Sequence, residues 1–448
     1  MVEFPTELVE TVIDLLQSDG PALIACSRVS RQWLPRTRHH RFRSLSLFVD
    51  WDSKDPASSQ RVERLLALVF SPLVTFVKCV KEVKLTHKWN SSFEGQAMSP
   101  REILSELACC GIRPTHLYLD CYRHFKLPPE GPPAFVSSLI HLEIQLDNNH
   151  VALDSLVPYI CAFPHLESLR IRGLPDDIDE YIEPGTSFVL PPRLHTLHIA
   201  HPLISDWIIS LDPVPKQITT LGLLHIHWND WPGINRYLSS AAAEGVQSLI
   251  FYYGGRLRGN GPGPEFKDLR RLKHLSLYKL DTEGPKSLLG VLARLKSSPA
   301  RRTLETITLS LRFVLGAERY SPAKWHAIDA ELADRAMWPR LRSFTILADT
   351  ETDPESDGGK NKTLELTLAE LSLSAHIDIP IGLSIRANLG QCDDLGILKI
   401  EGIPMVHPHE VPLRVEQGLS SSLRVSSASV GSSLSRQEIT AWMAGITG

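Results

Sequence analysis

Histidines recur at short spacing in the middle of the chain: His195, His198 and His201, then His225 and His227. Imidazole is a common metal ligand, but zinc needs three or four ligands that converge. On a strand His225 and His227 share a face, yet no third ligand stands near them. The seven cysteines, Cys26, Cys79, Cys109, Cys110, Cys121, Cys161 and Cys392, form no Cys-x-x-Cys pair. Neither a zinc site nor a disulfide framework is expected, and a reducing cytoplasm or nucleus fits best. The stretch Gly254-Gly-Arg-Leu-Arg-Gly259-Asn-Gly261-Pro-Gly263 loosely imitates a phosphate loop, but Pro262 and Pro264 oppose a helix opening there. Asp353-Pro-Glu-Ser-Asp357-Gly358 imitates a calcium loop whose twelfth position is Leu364 instead of a bidentate glutamate. No nucleophile elbow or His-Glu-x-x-His occurs, and no Ser, His and Asp fall into a triad order. No catalytic residue, metal or cofactor is expected, which leaves surfaces as the carriers of function.

The composition narrows which surfaces. The 448 residues are 43% hydrophobic and 22% charged, with 47 basic against 51 acidic groups. That balance supports a large core and offers no basic footprint for nucleic acid or an acidic membrane. The opening Met1-Val-Glu-Phe-Pro has no basic start followed by an apolar run, so no secretory signal is expected. The sequons at Asn90 and Asn361 are then expected to be chance matches. The most apolar run, Leu65 to Val80, is broken by Ser71, Pro72, Thr75 and Lys78. It falls short of the ~18–20 apolar residues that span a bilayer and reads as a core helix running into a strand.

The elements that must present these surfaces follow a repeat. An apolar-x-x-apolar-x-apolar pattern runs along the chain, as in Leu139-Ile-His-Leu142-Glu-Ile144, Leu166-Glu-Ser-Leu169-Arg-Ile171 and Leu272-Lys-His-Leu275-Ser-Leu277. Its middle residues stand at 45, 83, 117, 142, 169, 197, 221, 249, 275, 307, 344, 371 and 398. Most central intervals fall within the ~20–29 residues of leucine-rich repeats, and the longer ones require inserted segments. The last three positions alternate, giving a short strand with one buried face, while the first apolar residue sits in the turn before it. Prolines ahead of several strands, as in Phe163-Pro-His-Leu and Trp338-Pro-Arg-Leu, stop a helix and shape that turn. Helical stretches are expected at Asp154–Phe163, Ile234–Ala243, Pro285–Lys296 and Pro322–Met337. The expected fold class is therefore α/β: a repeat solenoid with a curved parallel sheet and helices on its outer face, over residues 44–402. Residues 403–448, with Ser420-Ser-Ser and a serine-rich run to Ser435, read as a largely disordered tail with a short helix near Glu438–Ala444.

Residues 4–43 differ in kind. Pro5 stands where a helix starts, Leu8, Val12, Leu15 and Leu16 recur at helical spacing, and Gly20-Pro21 marks that helix's end. Leu23, Cys26 and Val29-Ser30 begin a second helix, with Trp33 on its apolar side. Some forty residues bury too little surface to stand alone, so their apolar faces must meet the repeats, a partner, or both. The segment resembles an F-box. The resemblance rests on the Phe-Pro-x-Glu-Leu opening, the Ile13-Asp-Leu-Leu16 middle and Leu-x-x-Cys-x-x-Val-Ser-x-x-Trp near the end. Phe4 stands where the family usually has leucine. The resemblance implies an F-box segment at 1–43 and, as partner, the Skp-type adaptor that links such proteins to a cullin–RING (SCF-type) ubiquitin ligase. Carried over by position, the adaptor-facing residues are Phe4, Pro5, Leu8, Ile13, Leu16, Leu23, Val29 and Trp33.

The outward strand positions supply a second surface, for a target protein. Glu143, Gln145, Ser276 and Thr308 belong to it, and Arg170, Arg172, His198, Tyr252 and Tyr278 are the expected contact residues, since arginine and tyrosine favour binding hot spots. The function expected is a substrate-receptor subunit; the alternative is a repeat scaffold that binds proteins without a ligase. A hydrolase or transferase is disfavoured by the missing motifs.

Overall fold

The computed structural model describes residues 5–401 except 51–56, 72–73, 89–98, 123–133, 148–152, 173–188, 201–207, 209–215, 227–230, 254–262, 281–283, 313–321, 350–385 and 387. Met1–Met405 form one compact unit; the second unit, with the serine-rich tail, lies outside the described residues. Ten α-helices and one twelve-stranded sheet are found among the described residues.

Every neighbouring pair of strands is parallel and the strands stand in sequence order, β1 to β12. They are β1 (Ser44–Asp50), β2 (Glu82–Lys88), β3 (His116–Tyr122), β4 (His141–Asp147), β5 (Ser168–Arg172), β6 (Thr196–Ile199), β7 (Thr220–Ile226), β8 (Ser248–Tyr253), β9 (His274–Leu280), β10 (Thr306–Arg312), β11 (Ser343–Asp349) and β12 (Leu398–Glu401). The middle apolar residues of the repeat are register partners along the whole ladder: Leu45, Val83, Leu117, Leu142, Leu169, Leu197, Leu221, Leu249, Leu275, Ile307, Phe344 and Leu398. One deviation from the expected series is at its end. β11 pairs directly with β12, and the match centred on Leu371 lies outside the described residues.

A repeated backbone device sets the register. At the start of each strand from β2 to β11, two successive N–H groups donate to one carbonyl of the preceding unit. Lys81 and Glu82 donate to Arg43, Thr115 and His116 to Lys81, Ile140 and His141 to Thr115, and so on to Arg342 and Ser343 on Glu305. Each shared carbonyl uses both lone pairs, so the turn satisfies its polar groups although it is half-buried. The first apolar residue of the repeat sits just before this point and is buried, as Val80, Leu139, Leu166, Leu194, Ile218, Val246, Leu272, Leu304 and Leu341 show.

Helices cover the apolar side of the sheet. After the three N-terminal helices come α4 (Ala57–Val69), α5 (Pro100–Cys109), α6 (Leu153–Cys161), α7 (Trp231–Leu238), α8 (Gly284–Lys296), α9 (Pro322–Ala333) and α10 (Gly390–Asp394). Their Leu66, Ile103, Leu107, Ile160, Ile234, Leu292 and Ile328 join the strand residues in one continuous core. α6, α7, α8 and α9 fall close to the expected stretches. α5 was not anticipated, although Ser99-Pro-Arg-Glu102 carries its signal. Ser99 Oγ accepts from the Glu102 N–H at 3.2 Å and the Glu102 carboxylate accepts from the Ser99 N–H at 2.6 Å, a reciprocal cap.

The far end of the sheet depends on one buried carboxylate. Asp329, on α9, accepts from the Gln391 and Cys392 N–H groups at 3.0 and 2.8 Å and so caps α10. Asp329→Ala leaves both donors without their acceptor, and for the buried Cys392 N–H this costs ~1–3 kcal/mol. Amide protection across Gly390–Glu401 is expected to fall sharply while that of β4–β8 is unchanged, as read by hydrogen exchange.

Candidate functional site

Two surfaces stand out, and the first lies on the N-terminal helices. These are α1 (Thr6–Leu15), α2 (Gly20–Val29) and α3 (Leu34–Arg41). α3 was not anticipated, because Leu34-Pro-Arg-Thr-Arg-His-His-Arg shows almost no apolar period. Gly20-Pro21 does not close the first helix; it opens the second. Asp19 accepts from the Ala22 N–H at 2.9 Å and the proline occupies the first turn, where its missing N–H costs nothing. Trp33 likewise stands at the N-cap of α3 and not within α2.

α1 carries two apolar stripes with i, i+4, i+7 spacing, offset by one residue. Ile13 is fully buried, with Val9 and Leu16 half-buried beside it; Leu8, Val12 and Leu15 are 55%, 50% and 79% exposed. On α2, Leu23 is buried whereas Ile24 and Val29 are exposed. Five of the nine large exposed apolar residues among those described therefore lie between positions 8 and 29. Of the eight residues expected to face an adaptor, Pro5, Leu8 and Val29 are exposed, and Leu16 and Trp33 are half-buried. Ile13 and Leu23 are buried within the chain itself, since a helix packed on its neighbours buries one stripe before it offers another. Phe4 lies outside the described residues. Val12, Leu15 and Ile24 join the surface; Val12 and Leu15 already stand in the helical period of the sequence.

An ion cluster ties α1 to α3. Asp14 Oδ1 accepts from Arg36 Nε at 2.6 Å and Oδ2 from Nη2 at 2.5 Å, and His40 Nε2 lies 2.7 Å from Oδ1. The hydrogen bonds from Arg36 and then His40 hold the Asp14 carboxyl well below the usual carboxylate range. Arg38 Nη1 reaches Thr75 Oγ1 at 3.0 Å and Phe42 stacks on Phe76 at 4.2 Å, joining the helical segment to the first repeats. A depressed carboxyl stabilises above its unfolded value, and that contribution is lost as pH falls toward the folded value. α1 is therefore expected to keep its amide protection at neutral pH and lose it only below about pH 4, the ordinary aspartate range. Asp14→Ala is expected to lose the same protection already at pH 7, by hydrogen exchange corrected for intrinsic rate.

The second surface is the sheet face opposite the helices. Its outward positions form columns across the strands. One runs Tyr118, Glu143, Arg170, His198, Gly222, Ile250 and Ser276. The structure brings Arg170, Arg172 and His198 together with Glu143. Glu143 Oε1 lies 2.7 Å from Arg172 Nε and 3.9 Å from Arg170 Nε. Arg170 Nε and His198 Nδ1 are buried and make no hydrogen bond. Burial first, then Arg170 and Arg172, lowers the His198 pKa to about 4, so the ring is neutral near pH 7. The imidazole occupies the space that a side chain at Gly222 would need, since a Cβ there would stand 2.3 Å from Nδ1. Glycine in mid-strand was the available sign of such a close approach. Tyr252 and Tyr278, on adjacent strands, stack at 4.8 Å and 13°.

His195 precedes β6 and bonds to Thr196 Oγ1 at 3.1 Å, away from His198. His201, His227, the glycine-rich loop and the acidic loop lie outside the described residues. Among the described residues no three His, Cys, Asp or Glu side chains are placed to hold a metal ion. None of the described helices is long and apolar enough to cross a membrane. No protein-family model matches the chain, and no curated protein matches it.

Proposed function

We propose that the chain is a non-catalytic substrate receptor of an SCF-type ubiquitin ligase. An F-box formed by the three N-terminal helices docks on a Skp-type adaptor, and a degenerate leucine-rich-repeat solenoid holds the target protein. One observation carries this reading: Leu8, Val12 and Leu15 form a solvent-exposed apolar stripe on α1 while Ile13 keeps the helix attached through its other face. A helix with a free apolar stripe at this spacing suits a groove in another polypeptide. Such a receptor works by holding target lysines near a transfer enzyme, so its contribution is proximity and orientation. No nucleic acid, membrane or cofactor is required, and the site of action is the cytoplasm or nucleus.

The Arg38–Thr75 bond and the Phe42–Phe76 stack favour a second reading, a cap on a protein-binding scaffold that has no ligase. Co-expression with a Skp-type adaptor separates the two. The intact chain is expected to co-purify with the adaptor and the Leu8→Ala, Trp33→Ala double variant to be lost from it. Undiminished capture of that variant contradicts the docking surface, and no capture of the intact chain supports the scaffold.

A further inference from the structure

The corner where the N-terminal helices meet the first repeats carries positive charge that the chain itself does not offset. Between Gly20 and Arg43 there are six arginines and no acidic residue. Three of them have partners: Arg36 bonds to Asp14, Arg38 reaches Thr75, and the Arg41 guanidinium lies over the Phe42 ring at 5.6 Å. The basic last turn of α3 also suits the negative end of that helix. Neither reason covers Arg43, Lys78 and Lys81, which lie beyond the helix. All three are exposed, and none of their side chains makes an ion pair or hydrogen bond with the described residues.

These cations are also neighbours. The Lys81 N–H donates to the Arg43 carbonyl at 2.8 Å, which sets the two residues side by side at the entries of β1 and β2. Lys78 stands just before them on the short 3-10 turn Val77–Cys79. Like charges in facing positions repel. The same field reaches His39: burial first, then His40, Arg36, Arg43 and Lys81, lowers its pKa, and among these groups there is no carboxylate. Glu82, the next residue, lies 3.2 Å from Lys84. On the repeats several exposed cations have an acid at hand. Lys216 lies 3.0 Å from Glu244, Lys267 lies 2.9 Å from Glu265, and Arg270 and Arg271 both act on Glu244.

We propose that this corner binds an acidic, extended segment of a partner protein, with its carboxylates against Arg43, Lys78 and Lys81. Such a segment is matched by charge and needs no pocket, because exposed ammonium and guanidinium groups can each donate to successive carboxylates of an extended chain. Nucleic acid fits less well. Phe42, beside Arg43 in the sequence, is stacked on Phe76 and has Arg41 over its ring, so it offers no open platform to a base. The proposal uses residues other than the α1 stripe and does not require adaptor docking.

Fluorescence anisotropy with the full chain alone tests it, using three labelled probes: a dodecapeptide of alternating Glu and Gly, the same peptide with Gln for Glu, and a thymidine dodecanucleotide. The Glu peptide is expected to bind at least tenfold more tightly than the Gln peptide and no more weakly than the oligonucleotide. Its affinity is expected to fall at least tenfold between ~50 and ~300 mM salt, as contacts between exposed charges do. Arg43→Glu with Lys81→Glu is expected to weaken the Glu peptide at least tenfold, with circular dichroism unchanged, and the milder Arg43→Gln with Lys81→Gln at least threefold. Arg270→Glu with Arg271→Glu, a second exposed basic pair, is expected to change it less than twofold. Equal binding of the Gln peptide, tighter binding of the oligonucleotide, an equal loss in the Arg270 and Arg271 variant, or no binding of the Glu peptide overturns the proposal. Because no adaptor is in the assay, these failures leave the ligase reading standing, and loss of adaptor capture leaves this one standing.

Discussion

Replacing Leu8 and Leu15 by aspartate together is expected to weaken binding to a Skp-type adaptor by at least a hundredfold. The two side chains are 55% and 79% exposed in the free chain, so their apolar area remains available for burial against a partner. Covering a leucine is worth ~1.5–3 kcal/mol. The variant loses most of that twice and adds two carboxylates that must be desolvated, a further cost of several kcal/mol without partners. Even ~3 kcal/mol corresponds to about a hundredfold in affinity. Exposure also makes the variant a clean one, since surface substitutions away from structural features shift stability by only ~0.5 kcal/mol. Surface-immobilised adaptor with the variant in solution gives the measurement. An affinity within threefold of the parent chain removes α1 from the interface.

The second large effect is on stability. Phe251 is fully buried in β8, paired in register with Leu223 and Leu277, and Trp231 of α7 meets its ring edge-on at 5.7 Å and 64°. Phe251→Ala removes these contacts and opens a cavity in a layer that cannot collapse without moving two neighbours. The expected cost is ~3–5 kcal/mol. Each repeat touches mainly its neighbours, so the loss is expected first in β7–β9, with β2–β4 retaining amide protection. Lys399→Ala, at an exposed position of β12, is the control, with a change of ~0.5 kcal/mol or less. Urea unfolding followed by hydrogen exchange reads both quantities. A uniform loss across all strands contradicts the stacked-unit account.

The parallel ladder was legible because its cause is local. Two apolar residues separated by one polar residue, recurring every few tens of positions, force a strand with one buried face, and the observed register joins those positions in order from Leu45 to Leu398. The long intervals were also legible as insertions, and α4 and α5 fill the first two. α3 was hidden by its composition, because its fixing contacts are polar: Arg36 and His40 on Asp14, more than twenty residues away.

The site was legible only by columns. Alternation says that Arg170 and Arg172 face outward, but their neighbours across the ladder, Glu143 and His198, come from other repeats. Gly222 signals a close approach, but no local rule names the His198 ring as the group that approaches. The same limit explains Ile13 and Leu23. Helical spacing shows that α1 has apolar residues on two adjacent stripes, and tertiary packing decides which stripe is buried.

Titration of the chain with a purified Skp-type adaptor in a calorimeter is the most direct test of adaptor docking. One-to-one binding with a dissociation constant below ~1 µM, about −8 kcal/mol, is the predicted result. No heat of binding and no complex by gel filtration at ~100 µM adaptor would contradict it, since that leaves at most about −5 kcal/mol for the exposed stripe of α1.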